Sequence, residues 1–175
     1  MEIIEIAGSD SFQVARDIWD PLFAATSPRF ALISWKPPPS GHLKVNFDGS
    51  LPARGGSVGV AFVIRNHCSR LLAARGCHSF EDSNFGTALR ATWEGLLYVR
   101  HVLDAGCIIL EGDSVLLIKC LRKEGQGEVK HLLLEHIRRM LQKCHVAQVR
   151  HVFREANQAA DWVVSFVAHH SGDFL

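Results

Sequence analysis

Three consecutive prolines, Pro37 to Pro39, are followed at Leu43 by a run of strict alternation, with apolar Leu43, Val45 and Phe47 interleaved with polar Lys44, Asn46 and Asp48. Proline fixes φ and donates no backbone hydrogen bond, so residues 35–42 are excluded from helix and read as a stiff, extended linker. Period-two alternation is the mark of a strand with one face toward a core. Such a strand needs partners to satisfy its backbone and an apolar layer to cover it. The segments that follow supply both.

Gly49 to Gly56 is rich in turn formers, and Val58 to Arg65 and Leu71 to His78 are β-like runs separated by Asn66, His67, Cys68 and Ser69. Three successive strands of this kind predict an antiparallel meander. From Gly86 to Leu103 the period changes: Leu89, Trp93, Leu96, Leu97 and Val99 recur at helical intervals. Cys107 to Glu111 is short and apolar between glycines, which suits a buried strand. Ser114 to Arg122 and Glu128 to Lys143 read as helices, Val146 to Phe153 as a last strand, and Asn157 to His169 as a last helix. The order β-β-β-α-β-α-α-β-α defines an α/β fold, a mixed sheet of five strands with helices packed on it. The expected division is an N-terminal appendage over residues 1–34, the Pro-rich linker over 35–42, one domain over 43–170 and a tail over 171–175. A short amphipathic segment is expected around Phe12, Val14, Ile18 and Trp19.

At 175 residues, 47% hydrophobic and 21% charged, the chain is long enough for one well-buried core and unlike disordered compositions. Its net charge of +1 gives little long-range attraction to nucleic acid or anionic lipid, so any contact with a polyanion must be local. The five cysteines are scattered and never spaced Cys-x-x-Cys, which reads as free thiols of an intracellular protein, nuclear or cytoplasmic and not secreted. No run is apolar for long enough to span a membrane. The ten histidines form no His-Glu-x-x-His array, which argues against zinc.

Asp48 ends the first strand, Asp113 follows the fourth, and Asp161 lies in the first turns of the last helix. Taken singly, Asp113 before Ser114 serves equally as part of a helix cap, and Asp161 as a partner of the helix dipole. Together, and with their neighbours, they say more. Asn46, Phe47, Asp48, Gly49 and Ser50, then Glu111, Gly112, Asp113 and Ser114, and finally the stretch from His151 through Arg154 and Asn157 to Asp161, resemble the ribonuclease H type 1 family. The resemblance is to its plant, retroelement-derived branch and covers residues 35–170.

That resemblance implies a ribonuclease H-like fold, an RNA–DNA hybrid as substrate, and endonucleolytic hydrolysis of the RNA strand. It implies two Mg²⁺ ions held by carboxylates, with Asp48, Asp113 and Asp161 as catalytic and metal-binding residues. Hard cations take oxygen ligands, and two of them clamp one phosphodiester. The family supplies a fourth carboxylate from the helix after the meander, where this chain has Ala88. Glu94 is no substitute, since six residues along a helix turn it by roughly 240° and move it about 9 Å. Glu81 and Asp82 precede the helix, with nothing in the sequence to aim them. The expectation is therefore a nucleic-acid-binding domain with activity weakened or lost.

Gly49, Ser50, Ser114, Arg154 and Asn157 are candidates for nucleic-acid contact, hybrids being read by shape and 2′-hydroxyls. Lys44, Arg54, Arg90 and Lys119 are candidates for phosphate, each equally a surface charge. His151 belongs to the last strand and offers weak support for a proton-handling role. The other reading is a non-catalytic protein-interaction module that keeps the fold, favoured by Ala88. A proofreading exonuclease fits less well, because Asp48 is followed by Gly49 and Ser50 and not by Asp-x-Glu spacing.

Overall fold

A computed structural model describes residues 3–5, 30–51, 57–124 and 129–170 of the chain. The chain divides after Trp35 into two compact units. In the first, β1 (Ile3–Glu5) and β2 (Phe30–Leu32) pair antiparallel, with Ile4 opposite Ala31. The expected amphipathic segment around Phe12, together with Arg54 and the tail from residue 171, lies outside the described residues.

In the second unit, the alternating run becomes β3 (Leu43–Ser50), followed by β4 (Val58–Arg65) and β5 (Leu71–Ser79) in an antiparallel meander. Between β4 and β5, Asn66 Oδ1 accepts from the backbone N–H of Cys68 and of Arg70, both at 3.0 Å, which closes the turn. β6 (Cys107–Gly112) runs parallel to β3, and β7 (Val146–His151) runs parallel to β6. The sheet order is β5-β4-β3-β6-β7, the five-stranded mixed sheet that the element order implied. The helices are α1 (Asn84–His101), α2 (Val115–Arg122), α3 (Leu132–Gln142) and α4 (Gln158–His169).

Both faces of the sheet are covered, and β4 shows how. Val60, Phe62 and Ile64 join Val45, Phe47, Ile108 and Leu110 in the main core with Leu89, Leu96, Leu117, Leu134 and Ile137 from α1, α2 and α3. The intervening Ala61 and Val63 pack against Ala160, Val163 and Val164 of α4 in a second cluster. The small side chains on that second face let α4 lie close. On the main face Gly95 does the same for α1, since a Cβ there would stand 2.8 Å from Val45 Cγ1. Cutting Leu89, which is fully buried, back to Ala would cost roughly 2–5 kcal/mol by removing this packing.

Element ends follow their caps. Ser83 Oγ accepts from the Gly86 N–H at 3.1 Å, so α1 starts at Asn84, two residues before the expected start. His131 Nδ1 accepts from the Leu133 N–H at 3.2 Å, which begins α3 at Leu132 and not near residue 128. The last strand stops at His151 rather than Phe153, because Arg154–Ala156 turn into a 3-10 helix. All five cysteines are free, and no described helix is long and apolar enough to cross a membrane.

Candidate acidic site

Because Val45 and Phe47 face the main core, Lys44, Asn46 and Asp48 point to the opposite face of β3, toward α4. In the parallel pair of β3 with β6, Asn46 is opposite Glu111. Two residues further on, Asp48 and Asp113 stand at the carboxyl ends of adjacent strands. The third carboxylate arrives through α4. Asn157 Nδ2 donates to the Phe47 carbonyl at 3.0 Å, and Asn157 Oδ1 accepts from Asn46 Nδ2 at 3.2 Å. These two bonds fix the start of α4 against β3, and Asp161 follows in its first turn.

Electrostatics couple Asp48 to the other two acids. Burial, then the neighbouring Asp113 and Asp161 charges, push the Asp48 carboxyl from 3.8 up to about 7, against the Gly49 N–H and Arg154, which lower it. The Gly49 N–H donates to Asp48 Oδ1 at 2.9 Å. Arg154 reaches Asp161 Oδ1 with two donors, Nε at 3.1 Å and Nη2 at 2.6 Å. The His151 ring lies beside Asp113, with Nε2 3.2 Å from its carbonyl oxygen.

Ala88 lies on α1 and belongs to the main core cluster. A Cβ on Gly49 would fall 2.5 Å from the Thr87 carbonyl carbon, so only glycine lets the end of β3 meet α1 at Thr87. The Ala88 side chain is buried and offers no oxygen. Glu94 is paired with Arg90 at 2.7 Å, one turn along α1, as its helical offset required. Glu81 lies against Gly86, near the first turn of α1.

The structure thus brings Asp48, Asp113 and Asp161 within electrostatic reach. Among the described residues, however, no three His, Cys, Asp or Glu side chains form a group set to hold a metal ion. With Ala88 contributing nothing and Asp161 engaged by a guanidinium, the residues as folded do not fit a two-ion site.

Other expected contacts are corrected. Lys44 is buried and pairs with Glu111 at 2.7 Å, also donating to the Lys36 carbonyl at 2.6 Å, so it is withdrawn from phosphate. Asn157 is fully buried and spends its amide on Phe47 and Asn46; it positions Asp161 and has no surface to offer nucleic acid. Ser114 Oγ caps α2, accepting from the Leu117 N–H at 3.4 Å, and stays partly exposed like Gly49 and Ser50. Arg154 and Lys119 are exposed. The buried polar set of Lys44, Asn46, Glu111 and Asn157 was missed as a unit. Its signal was present in the apolar stripe of the last helix, which needed a second sheet face to cover.

A five-stranded mixed sheet with three acids gathered at strand ends and at the start of the last helix defines a ribonuclease H-like domain. The sequence profile of the family described as reverse transcriptase-like matches residues 46–167, and the chain belongs to that family. Ribonuclease H1 of Halobacterium salinarum is 22% identical with a TM-score of 0.62, over 72% of this chain and 96% of that one. The N-terminal RNase H domain of a Mycobacterium tuberculosis protein is 20% identical with a TM-score of 0.62, over 73% and 93%. LC11-RNase H1 from compost, in complex with an RNA/DNA hybrid, is 17% identical with a TM-score of 0.64, over 72% and 96%. At these identities the likeness shows the fold. No curated protein sequence matches significantly.

Proposed function

We propose that residues 43–170 form a nucleic-acid-binding ribonuclease H-like domain that takes RNA–DNA hybrid, with the family's Mg²⁺-dependent hydrolysis weakened or lost. The observation that carries this reading is the electrostatic coupling of Asp48 to Asp113 and Asp161, with buried Ala88 on α1 where the resemblance expects a fourth carboxylate. The fold neighbour LC11-RNase H1 holds an RNA/DNA hybrid, which supports the ligand class. The family's reverse transcriptase-like description and the run from Arg154 to Asp161 support a retroelement-derived origin in the plant branch. Nuclear or cytoplasmic location goes with the five free thiols.

Without a fourth carboxylate, metal placement is too loose for efficient in-line displacement, where small misplacements cost large factors in rate. No hydrolytic step is therefore assigned to the chain as it stands. What the pocket still offers a bound strand is the half-exposed backbone and hydroxyls at Gly49, Ser50 and Ser114, and the exposed guanidinium of Arg154. With a net charge of +1, affinity should be modest and salt-sensitive.

The test is fluorescence anisotropy with a labelled hybrid at low salt, with unlabelled DNA duplex and hybrid as competitors. Saturable binding that weakens with salt and prefers hybrid is expected. Absence of binding to hybrid and duplex alike would overturn the proposal in favour of a protein-interaction module, which Ala88 also suits.

A further inference from the structure

β7 is an edge of the five-stranded sheet. The Val146 and Val152 N–H groups donate inward, to the carbonyls of Gly106 at 3.2 Å and Gly112 at 3.1 Å. In a parallel strand the backbone groups of successive residues point to alternate sides, so those of Ala147, Val149 and His151 face outward. The Val149 carbonyl agrees: it accepts from Arg122 Nε at 2.7 Å. An exposed side chain thus stands where the N–H of a neighbouring strand would donate.

A cleft of about 560 Å³ lies at this edge, between β7 and the C-terminal ends of α2 and α3. Its apolar lining is aliphatic, from Leu121, Leu141, Ala147 and Val149. Its charged lining is wholly cationic, with no Asp or Glu among the described residues that line it. Arg138 is spent on Glu135 and on the Cys120 carbonyl. Arg122 meets Glu124 only at 3.5 Å, Arg150 bonds the Gln148 amide, and Lys123 has no ion pair among the described residues. In a chain whose net charge is +1, this is a local concentration of unanswered positive charge.

We propose that this edge is a docking site for an extended segment of another protein, with acidic and aliphatic residues in alternation, which adds a strand to β7. Main-chain groups offered in a row are answered by another main chain. Carboxylates of the segment meet Arg122, Lys123 and Arg150, and its aliphatic side chains meet the apolar lining. Arg122 then exchanges the Val149 carbonyl for a carboxylate, a stronger partner, as the incoming N–H takes its place. Charge decides against a second copy of this chain, since cations along an edge strand keep like edges apart. A nucleic-acid strand would require rings on which its bases stack, and none lines the cleft.

This inference does not rest on hybrid binding, and failure of hybrid binding leaves it standing. The probe is a short blocked peptide in which valine alternates with glutamate, titrated against the isotopically labelled full chain and followed by NMR. The Ala147 and Val149 N–H groups are expected to shift and to gain protection from hydrogen exchange, and the Arg122 Nε–H to move with them. A peptide with glutamine for glutamate, and one N-methylated at alternate positions so that it cannot pair as a strand, should each bind several-fold more weakly. The variant Lys123→Glu/Arg150→Glu, with both changes at exposed positions, should lose roughly five- to tenfold in peptide affinity. Arg70→Glu, which reverses an exposed charge in the turn between β4 and β5, should lose nothing. No peptide binding, undiminished binding of the N-methylated peptide, or an equal loss from Arg70→Glu would overturn the inference. It would also be overturned if Lys123→Glu/Arg150→Glu abolished self-association of the native chain, or weakened hybrid binding and left peptide binding intact, since those results assign the edge to a second copy or to a nucleic-acid strand.

Discussion

Asn157 and Phe47, 110 positions apart in sequence, are joined by a 3.0 Å hydrogen bond from the Asn157 amide to the Phe47 carbonyl. This bond stands between the strand that carries Asp48 and the helix that carries Asp161. Truncating Asn157 to Ala would remove the donor to the Phe47 carbonyl and one acceptor of Asn46 Nδ2, which keeps Glu111 Oε2 at 3.5 Å, inside a closed interface. Unsatisfied buried groups of this kind cost about 1–3 kcal/mol each. Asn157→Ala is thus expected to lose roughly 2–4 kcal/mol in urea unfolding. Asp161→Asn, at a partly exposed site, should lose under about 1 kcal/mol. Similar losses for the two would contradict a positioning role for Asn157.

Asp48 makes stability depend on pH in an unusual direction. Its carboxyl titrates near 3.8 when free and at about 7 when folded. Between those values the folded state keeps a proton that the unfolded state gives up. Stability from this group is therefore full at low pH, falls as pH rises through the window, and levels off above about 7. Asp48→Asn removes the dependence. Thermal melts at about pH 8 should find Asp48→Asn more stable than the native chain by about 1–3 kcal/mol, with the gain shrinking toward pH 4. A variant that is less stable than the native chain at high pH would refute the assignment.

Lys44 and Glu111 form a pair 3% and 4% exposed across β3 and β6. Removing one partner leaves a charge buried without its counterpart, at about 3–5 kcal/mol. Lys44→Met is expected to show that loss, and Lys44→Met combined with Glu111→Gln to regain a large share of it. Additive losses in the double variant would show that the two charges do not answer each other.

Much of this architecture was readable from residue order, and the reasons are physical. Alternation at Leu43, Val45 and Phe47 marked a strand because one face must meet a core. Val58 to Arg65 was placed to the residue because its ends are set by turn formers. The pairing of both faces was not visible. A polar residue in an alternating strand usually faces water, so Lys44 reads as a candidate for phosphate or equally as a surface charge. It faces α4's side of the sheet, where Ala160, Val163 and Val164 close the second layer. Asn157 was misread for the same reason, as its burial depends on a contact with Phe47 that no local pattern announces. The acids themselves were legible as motifs, whereas the Arg154 bond to Asp161 required the 3-10 turn to be in place.

The proposed function turns on Ala88, which occupies the place on α1 where the family resemblance expects a carboxylate. Its most direct test is cleavage of an RNA–DNA hybrid in Mg²⁺ by Ala88→Glu, with the native chain and Ala88→Glu/Asp48→Asn alongside. The expected result is cleavage by Ala88→Glu at least about 100-fold above the native chain, in line with the value of metal placement in such reactions, and abolished by Asp48→Asn. A folded Ala88→Glu protein that cuts no better than the native chain would contradict the account.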